Sequence, residues 1–284
     1  MKKIFKIALT GLLFIDALLL IAIFIQHYAN INVFPFLPGR RLNNPLAILL
    51  IGSLLMVWMD PFLRERCFSG LNNYFTPFRN RTIIFISLFL IQALLLAMHF
   101  IGDQNSHWDL DWEKGYGTYF STLLIFLLAV FALGIARKTH AGLSPPRRHW
   151  FIAAFLFIYL AIDECIGIHD RAGKIIHQTF NFTEDYPLVL EWMWLYSPFI
   201  LAATGLLVVF FWAISAGSLL TRCYLFFGLG FWVLAIGLEA FLRVDFIPWN
   251  VSVGLEEFAE MFGTLLLIAG FSRNMAGRKG PGGE

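Results

Sequence analysis

Long apolar runs separated by short polar connections dominate the hydrophobic pattern of the chain. A helix needs about 20 apolar residues to cross the hydrocarbon core of a bilayer. The windows of this length predict eight membrane spans, at residues 4–26, 44–62, 82–101, 118–136, 150–169, 192–215, 219–242 and 251–271. The pattern therefore predicts an all-α polytopic membrane helix bundle. We expect one transmembrane domain over residues 1–273 and a disordered tail over residues 274–284.

Composition supports a membrane protein and excludes several other classes. Hydrophobic residues make up 58% of the 284 positions and charged residues 14%, against about 25% charged in soluble domains. The sequence contains no GxSxG, HExxH, P-loop or CxxC motif. Its basic residues lie in the connections as topology signals, a pattern that gives no indication of nucleic-acid binding. The bilayer is the expected partner, and oligomeric state is left open.

The basic residues also predict the orientation of the spans. Cytoplasmic connections carry an excess of Lys and Arg. If the N-terminus lies inside, 15 of the 21 basic residues fall on the cytoplasmic side. The sequence therefore predicts that both termini are cytoplasmic and that the connection 102–117 lies outside.

The acidic residues are distributed in the opposite way. On this topology 15 of the 19 Asp and Glu residues lie in the outer half of the membrane or in outer connections. Positive-inside topology does not require such a bias, because acidic residues contribute little to orientation. We expect the outer side to attract or bind cations.

Four ionisable residues lie close together at the end of the fifth predicted span: Asp163, Glu164, His169 and Asp170. An acidic residue inside a membrane marks a candidate functional site. At about 100° per residue, an unbroken helix would direct Glu164 and His169 about 140° apart, and a kink at Gly167 would bring them together. An alternative is that His169 is a hydrogen-bonding residue at the membrane interface.

Glu256, Glu257 and Glu260 form a second acidic stripe near the start of the eighth predicted span. About 100° per residue places Glu260 between the other two on the helix surface. These carboxylates could be metal or proton ligands. Alternatively, they lie in the headgroup region, where acidic residues favour the helix N-terminus.

Glu113 precedes the fourth predicted span and could reach the same outer region, or it could cap that helix. Glu239 and Arg243 are four residues apart in the seventh predicted span and favour a simple salt bridge.

Together these positions predict a divalent metal site formed where the fifth and eighth spans meet. The candidate ligands are carboxylates and one imidazole: Glu113, Asp163, Glu164, His169, Glu256, Glu257 and Glu260. Nitrogen and oxygen ligands suit iron, manganese or zinc. Such a site could belong to a metal-dependent enzyme acting on a lipid or small molecule. A proton- or cation-coupled transporter and a structural subunit of a membrane complex are the alternatives.

These segments resemble a family of bacterial multi-pass membrane proteins without an assigned activity. Its pattern is an acidic residue before an aromatic-Ser segment, then Asp-Glu…His-Glu, then Glu-Glu-x-x-Glu-Met-x-Gly. Matching segments start at Glu113, Asp163 and Glu256, and the departure is Asp170, where the family has Glu. The resemblance implies a location in the bacterial inner (plasma) membrane. It does not indicate which reaction, if any, the protein catalyses.

Residues 111–113 also resemble the calcium-binding segment of alkaline ceramidases, which are membrane hydrolases. The His-x-x-x-His pair of that family is absent, because no two histidines here are four residues apart.

Overall fold

The computed structural model describes residues 77–102, 108, 110, 115–138, 145–180, 188–241 and 248–277, with residues 52, 53, 65, 66, 69, 70 and 75. The chain divides into two compact units, Met1–Asn73 and Tyr74–Glu284. Most of the first unit lies outside the described residues, and so do most residues of the predicted spans 4–26 and 44–62. The architecture below is that of the second unit.

Helices account for nearly all described residues of the second unit, and no strand occurs among them. They are α1 (Phe78–Ile101), α2 (Tyr116–Lys138), α3 (Arg147–Ile166), α4 (Ile168–Phe180), α5 (Leu188–Ile214), α6 (Leu219–Phe241) and α7 (Trp249–Gly277). This confirms the predicted all-α class.

Five of these helices contain segments long and apolar enough to cross a membrane. Those segments are Phe78–Ile101, Tyr116–Arg137, Arg147–Ile166, Tyr196–Ile214 and Leu219–Glu239. The 29 residues of α7 extend over about 44 Å, and this helix carries Glu256, Glu257 and Glu260. The chain is therefore a membrane protein, and a total of eight spans stays a prediction.

The predicted fifth span is interrupted at Gly167. This residue has φ 59° and ψ 57°, in the left-handed region that glycine adopts most readily. Its N–H donates a 2.7 Å hydrogen bond to the Asp163 carbonyl, and its own carbonyl accepts a 3.2 Å bond from the Arg171 N–H. Gly167 thus ends α3 and begins α4, and it changes the direction of the chain immediately before His169.

Helix α7 is longer than the predicted span 251–271. It continues to Gly277, so residues 274–277 of the predicted tail are helical. Asn274 Nδ2 donates a 2.8 Å hydrogen bond to the Ile214 carbonyl at the end of α5. Residues 278–284 lie outside the described part of the chain.

Two glycines bring α6 and α7 into backbone contact. A Cβ atom added at Gly228 would lie 2.8 Å from the Gly263 carbonyl oxygen, and one at Gly263 would lie 2.8 Å from the Gly228 carbonyl oxygen. Small residues allow such close approach of membrane helices. This contact fixes the height of α7, and therefore of its glutamates, against α6.

We expect Gly228→Ala to destabilise the protein by about 1–3 kcal/mol, because the added methyl group would overpack the contact with α7. Gly230→Ala is the matched control on the same helix, since a Cβ there would meet nothing within 4 Å and alanine is the better helix former. Thermal unfolding in lipid nanodiscs measures both. Equal melting temperatures for the two variants would contradict the close contact.

An aromatic cluster fixes α3, α5 and α7 to one another in the half of the bundle away from the α7 glutamates. The ring of Phe271 lies 5.7 Å from Trp150, 5.8 Å from Phe157, 6.4 Å from Phe210 and 6.1 Å from Phe211, measured between ring centroids. Phe271, Trp150, Phe157 and Phe211 are fully buried. This aromatic cluster fills the interior at that level of the bundle.

Candidate functional site

A cavity of about 270 Å³ lies among α2, α3, α4, α5, α6 and α7. Its polar lining contains six carboxylates and one imidazole: Asp163, Glu164, Glu239, Glu256, Glu257, Glu260 and His169. No Lys or Arg is among its described lining residues. The two acidic segments of the sequence therefore face one space, as predicted, and we refer to it as the acidic cavity.

Glu164 of α3 and Glu260 of α7 lie near each other in this lining, and Ser121 of α2 joins them. The Ser121 hydroxyl donates a 3.3 Å hydrogen bond to Glu260 Oε1, and it is also a hydrogen-bonding partner of Glu164. The two carboxylates are close enough to interact electrostatically. We call them the glutamate pair; like charges this close repel unless a proton or a cation lies between them.

Asp163 and His169 form a second pair across the break at Gly167. The His169 main-chain N–H donates a 2.9 Å hydrogen bond to Asp163 Oδ1, and its ring Nδ1 lies 3.0 Å from Asp163 Oδ2. A carboxylate accepts hydrogen bonds, so in the neutral ring Nδ1 carries the proton and Nε2 is the acceptor nitrogen. Both oxygens of Asp163 are thus used to hold His169.

His169 also lies near the glutamate pair. Both Glu164 and Glu260 interact electrostatically with His169 and with Asp163. The sequence predicted that a kink at Gly167 would bring Glu164 and His169 together. The kink does so, because His169 lines the same cavity as Glu164. A lone pair on Nε2, with Nδ1–H bound to a carboxylate, is the arrangement of most metal-binding histidines.

The remaining candidate ligands have different outcomes. Glu256 and Glu257 line the cavity and are half-buried. Glu113 lies outside the described residues, and the side chain of Asp170 is not described. Among the residues that are described, no three His, Cys, Asp or Glu side chains form a group that could hold a metal ion. A metal ligand set therefore stays a prediction.

Glu239 lies in the cavity lining, a position that the sequence did not predict. The i,i+4 spacing favoured a salt bridge with Arg243, but Glu239 lines the acidic cavity, and Arg243 lies outside the described residues. Ser121 lies in the aromatic-Ser segment of the resemblance pattern, and the sequence did not identify it as a partner of the acidic residues. A hydroxyl on an apolar span is the signal that could have identified it.

Helix α7 is held in place around the glutamate pair by hydrogen bonds. Trp232 of α6, which lines the cavity, donates a 2.9 Å bond from Nε1 to Thr264 Oγ1, and that hydroxyl donates to the Glu260 carbonyl at 2.9 Å. On the other side, Gln92 of α1 is fully buried and donates a 2.9 Å bond to the Phe258 carbonyl. These bonds fix the rotation of α7 and direct Glu260 inward.

Comparison with known proteins identifies one matching protein family and no individual related protein. The model of a domain of unknown function (DUF8692) matches residues 83–275, which include every described residue of the acidic cavity. No curated protein and no solved structure matches the chain. The match is compatible with the resemblance to a family without an assigned activity. It gives no support to a bacterial origin or to the likeness to alkaline ceramidases.

Proposed function

We propose, from the premise that the chain belongs to the DUF8692 family, that it is a membrane protein whose acidic cavity binds a divalent metal ion. The ion would be iron, manganese or zinc. Its candidate ligands are the glutamate pair and Nε2 of His169, which would have to move closer together to bind it, since no three such side chains of the described part are grouped for a metal ion. We further propose that the ion serves a reaction on a lipid or small molecule. On the predicted topology, the cavity faces the outer side of the membrane.

The observation that carries this proposal is the glutamate pair. Two carboxylates from different helices interact inside the bundle, and the described cavity lining contains no Lys or Arg to balance them. Acidic residues are costly to place inside a membrane helix bundle unless they are paired. A bound cation would offset this cost for both residues.

The oriented imidazole supports a metal ion over a simple counter-ion. A ligating histidine usually donates its other N–H to a carboxylate, which fixes the tautomer and the ring direction. Asp163 provides this contact to His169 through two hydrogen bonds. Mixed nitrogen and oxygen ligands suit first-row transition metals.

The size of the cavity supports a reaction rather than storage of an ion. One water occupies about 30 Å³ in the liquid, so about 270 Å³ leaves room beside a bound ion. The lining also contains apolar residues, including Leu160, Ile200 and Ile236. A ligand with polar and apolar parts would match both linings.

A proton-coupled carrier is the second candidate. The side-chain arrangement favours it, because no three candidate ligands of the described part are grouped around one point. A metal ion needs such a group of ligands, whereas proton transfer does not. A carrier must also open toward the opposite side of the membrane. The aromatic cluster around Phe271 fills the bundle at that level, and this places the carrier second.

Metal analysis of the purified full chain tests the first candidate. We expect about one iron, manganese or zinc ion per chain, and we expect added metal to raise the melting temperature, since a ligand at 100 times its Kd stabilises by about 2.7 kcal/mol. Mg²⁺ at equal concentration is the control for nonspecific charge effects. Absence of both bound metal and metal-dependent stabilisation would contradict the proposal and favour the carrier.

A further inference from the structure

At the level of the acidic cavity, α3 and α5 are joined by aromatic side chains. Along their described residues the two helix backbones do not pack closely against each other. The Tyr159 ring of α3 lies 5.7 Å from the Phe199 ring of α5, centroid to centroid, and Tyr159 forms a side-chain hydrogen bond with Tyr196. All three residues also line the cavity. At this level side chains, and not close backbone packing, join the two helices.

The outer surface of this junction faces the level of the bilayer. Phe199 lines the cavity and is 44% exposed, and Leu201, which does not line it, is 73% exposed. Both residues lie within the apolar segment Tyr196–Ile214, which is long enough to cross a membrane. Rotation of the Phe199 side chain would connect the cavity with the acyl chains of the lipid.

Size and charge define what could enter. A drug-sized ligand occupies a pocket of about 300–1,000 Å³, so a cavity of about 270 Å³ accommodates a head group and not a whole lipid. An alkyl chain attached to that head would stay between α3 and α5, in the bilayer. The described lining has six carboxylates and no Lys or Arg, and therefore attracts a positively charged head and repels an anionic one.

We infer that the gap between α3 and α5, closed by Tyr159, Tyr196 and Phe199, is a lateral entrance from the bilayer for an amphiphile with an amine head group and an alkyl tail. The inference rests on the proposed function, because the amphiphile would be the substrate of the same site. The ammonium group would bind carboxylates of the acidic cavity beside the metal ion. The aromatic rings at the entrance provide faces that attract a passing cation.

Photolabelling of the full chain in nanodiscs tests the entrance directly. The probes are dodecylamine and dodecyl sulfate, each carrying a diazirine near the head group. We expect the amine probe to label Tyr159 and residues 196–200 about tenfold more than the sulfate probe does, corresponding to about 1.4 kcal/mol. Labelling of Leu206 and Val209, which are exposed on the same helix, corrects for partition of each probe into the bilayer.

Two tryptophan substitutions provide the matched pair of variants. Phe199→Trp enlarges the ring that closes the entrance and is expected to reduce amine labelling of Tyr159 several-fold. Leu201→Trp adds the same side chain at an exposed position that does not line the cavity, and we expect no change. Equal corrected labelling by both probes, or equal effects of the two substitutions, would overturn the inference.

The metal content of each nanodisc sample, measured in parallel, separates the two proposals. Bound metal with equal labelling by the amine and sulfate probes overturns the amine entrance and supports the metal site. Selective amine labelling in metal-free samples supports the entrance and contradicts the metal site.

Discussion

Glu260→Gln is expected to weaken binding of the divalent metal by more than 100-fold. Loss of a residue that merely orients a metal ligand already costs 10–100-fold in affinity, and Glu260 would be a ligand itself. Glutamine has nearly the same shape and loses only the negative charge. Isothermal titration with Mn²⁺ and Zn²⁺ in nanodiscs measures the affinity. A variant with unchanged affinity and stoichiometry would remove Glu260 from the site.

The same substitution should raise the melting temperature of the metal-free protein. One charge of the glutamate pair is removed, so the repulsion between Glu164 and Glu260 is lost. Ser121 can accept a hydrogen bond from the new amide while it donates to Glu164. The expected increase is roughly 2–4 °C for each kcal/mol of relieved repulsion.

Glu65→Gln is the control for both measurements, because Glu65 is an exposed residue and is not among the described lining residues of the cavity. It should change neither the metal affinity nor the melting temperature. A melting temperature of metal-free Glu260→Gln below that of the unmodified protein would show that the glutamate pair is not under repulsive stress.

Asp163→Asn is expected to change the tautomer of His169 and to reduce metal affinity 10–100-fold, the usual cost of removing such a supporting carboxylate. The Asn oxygen can still accept the His169 main-chain N–H. The Asn NH₂ group then faces Nδ1, which must accept a hydrogen bond, so the ring proton moves to Nε2. Nε2 then becomes a donor and can no longer bind a metal ion, without a change in the size of residue 163.

Imidazole ¹⁵N NMR reads this change directly, and the protein contains its own reference. His99 Nδ1 accepts a 3.1 Å hydrogen bond from the Leu110 N–H, and its Nε2 lies 2.8 Å from the Asn250 carbonyl. His99 is therefore the Nε2–H tautomer, opposite to His169. In Asp163→Asn the His169 shifts should become like those of His99, which should not move.

Asp163→Glu tests whether the carboxylate itself is what matters, because it retains the acceptor and should keep part of the metal affinity. If His169 shows the same tautomer in the unmodified protein and in Asp163→Asn, Asp163 does not orient the ring.

The positions of most membrane helices could be predicted from the sequence, because a membrane helix depends on the apolar residues within its own segment. Apolar runs such as 118–136 must be helical in a bilayer, where every backbone polar group needs an internal partner, and the structure has α2 there. The break at Gly167 was also visible locally as a residue that tolerates left-handed geometry. The exact ends of the helices could not be predicted from local sequence. Helix α7, for example, reaches Gly277 with the help of tertiary contacts such as that of Asn274 with Ile214.

The sequence by itself determined that Asp163, Glu164, Glu256, Glu257 and Glu260 must avoid lipid, because burying carboxylates in hydrocarbon is costly and helical periodicity shows which of them share a face. Tertiary structure alone decided which groups meet. Ser121 joins Glu164 to Glu260, both Asp163 oxygens go to His169, and Glu239 lines the same cavity. The physical reason is that hydrogen bonds between helices depend on the rotation and depth of each helix. Those are set by contacts far apart in the chain, such as the glycines of α6 and α7 and the rings around Phe271, which no local pattern specifies.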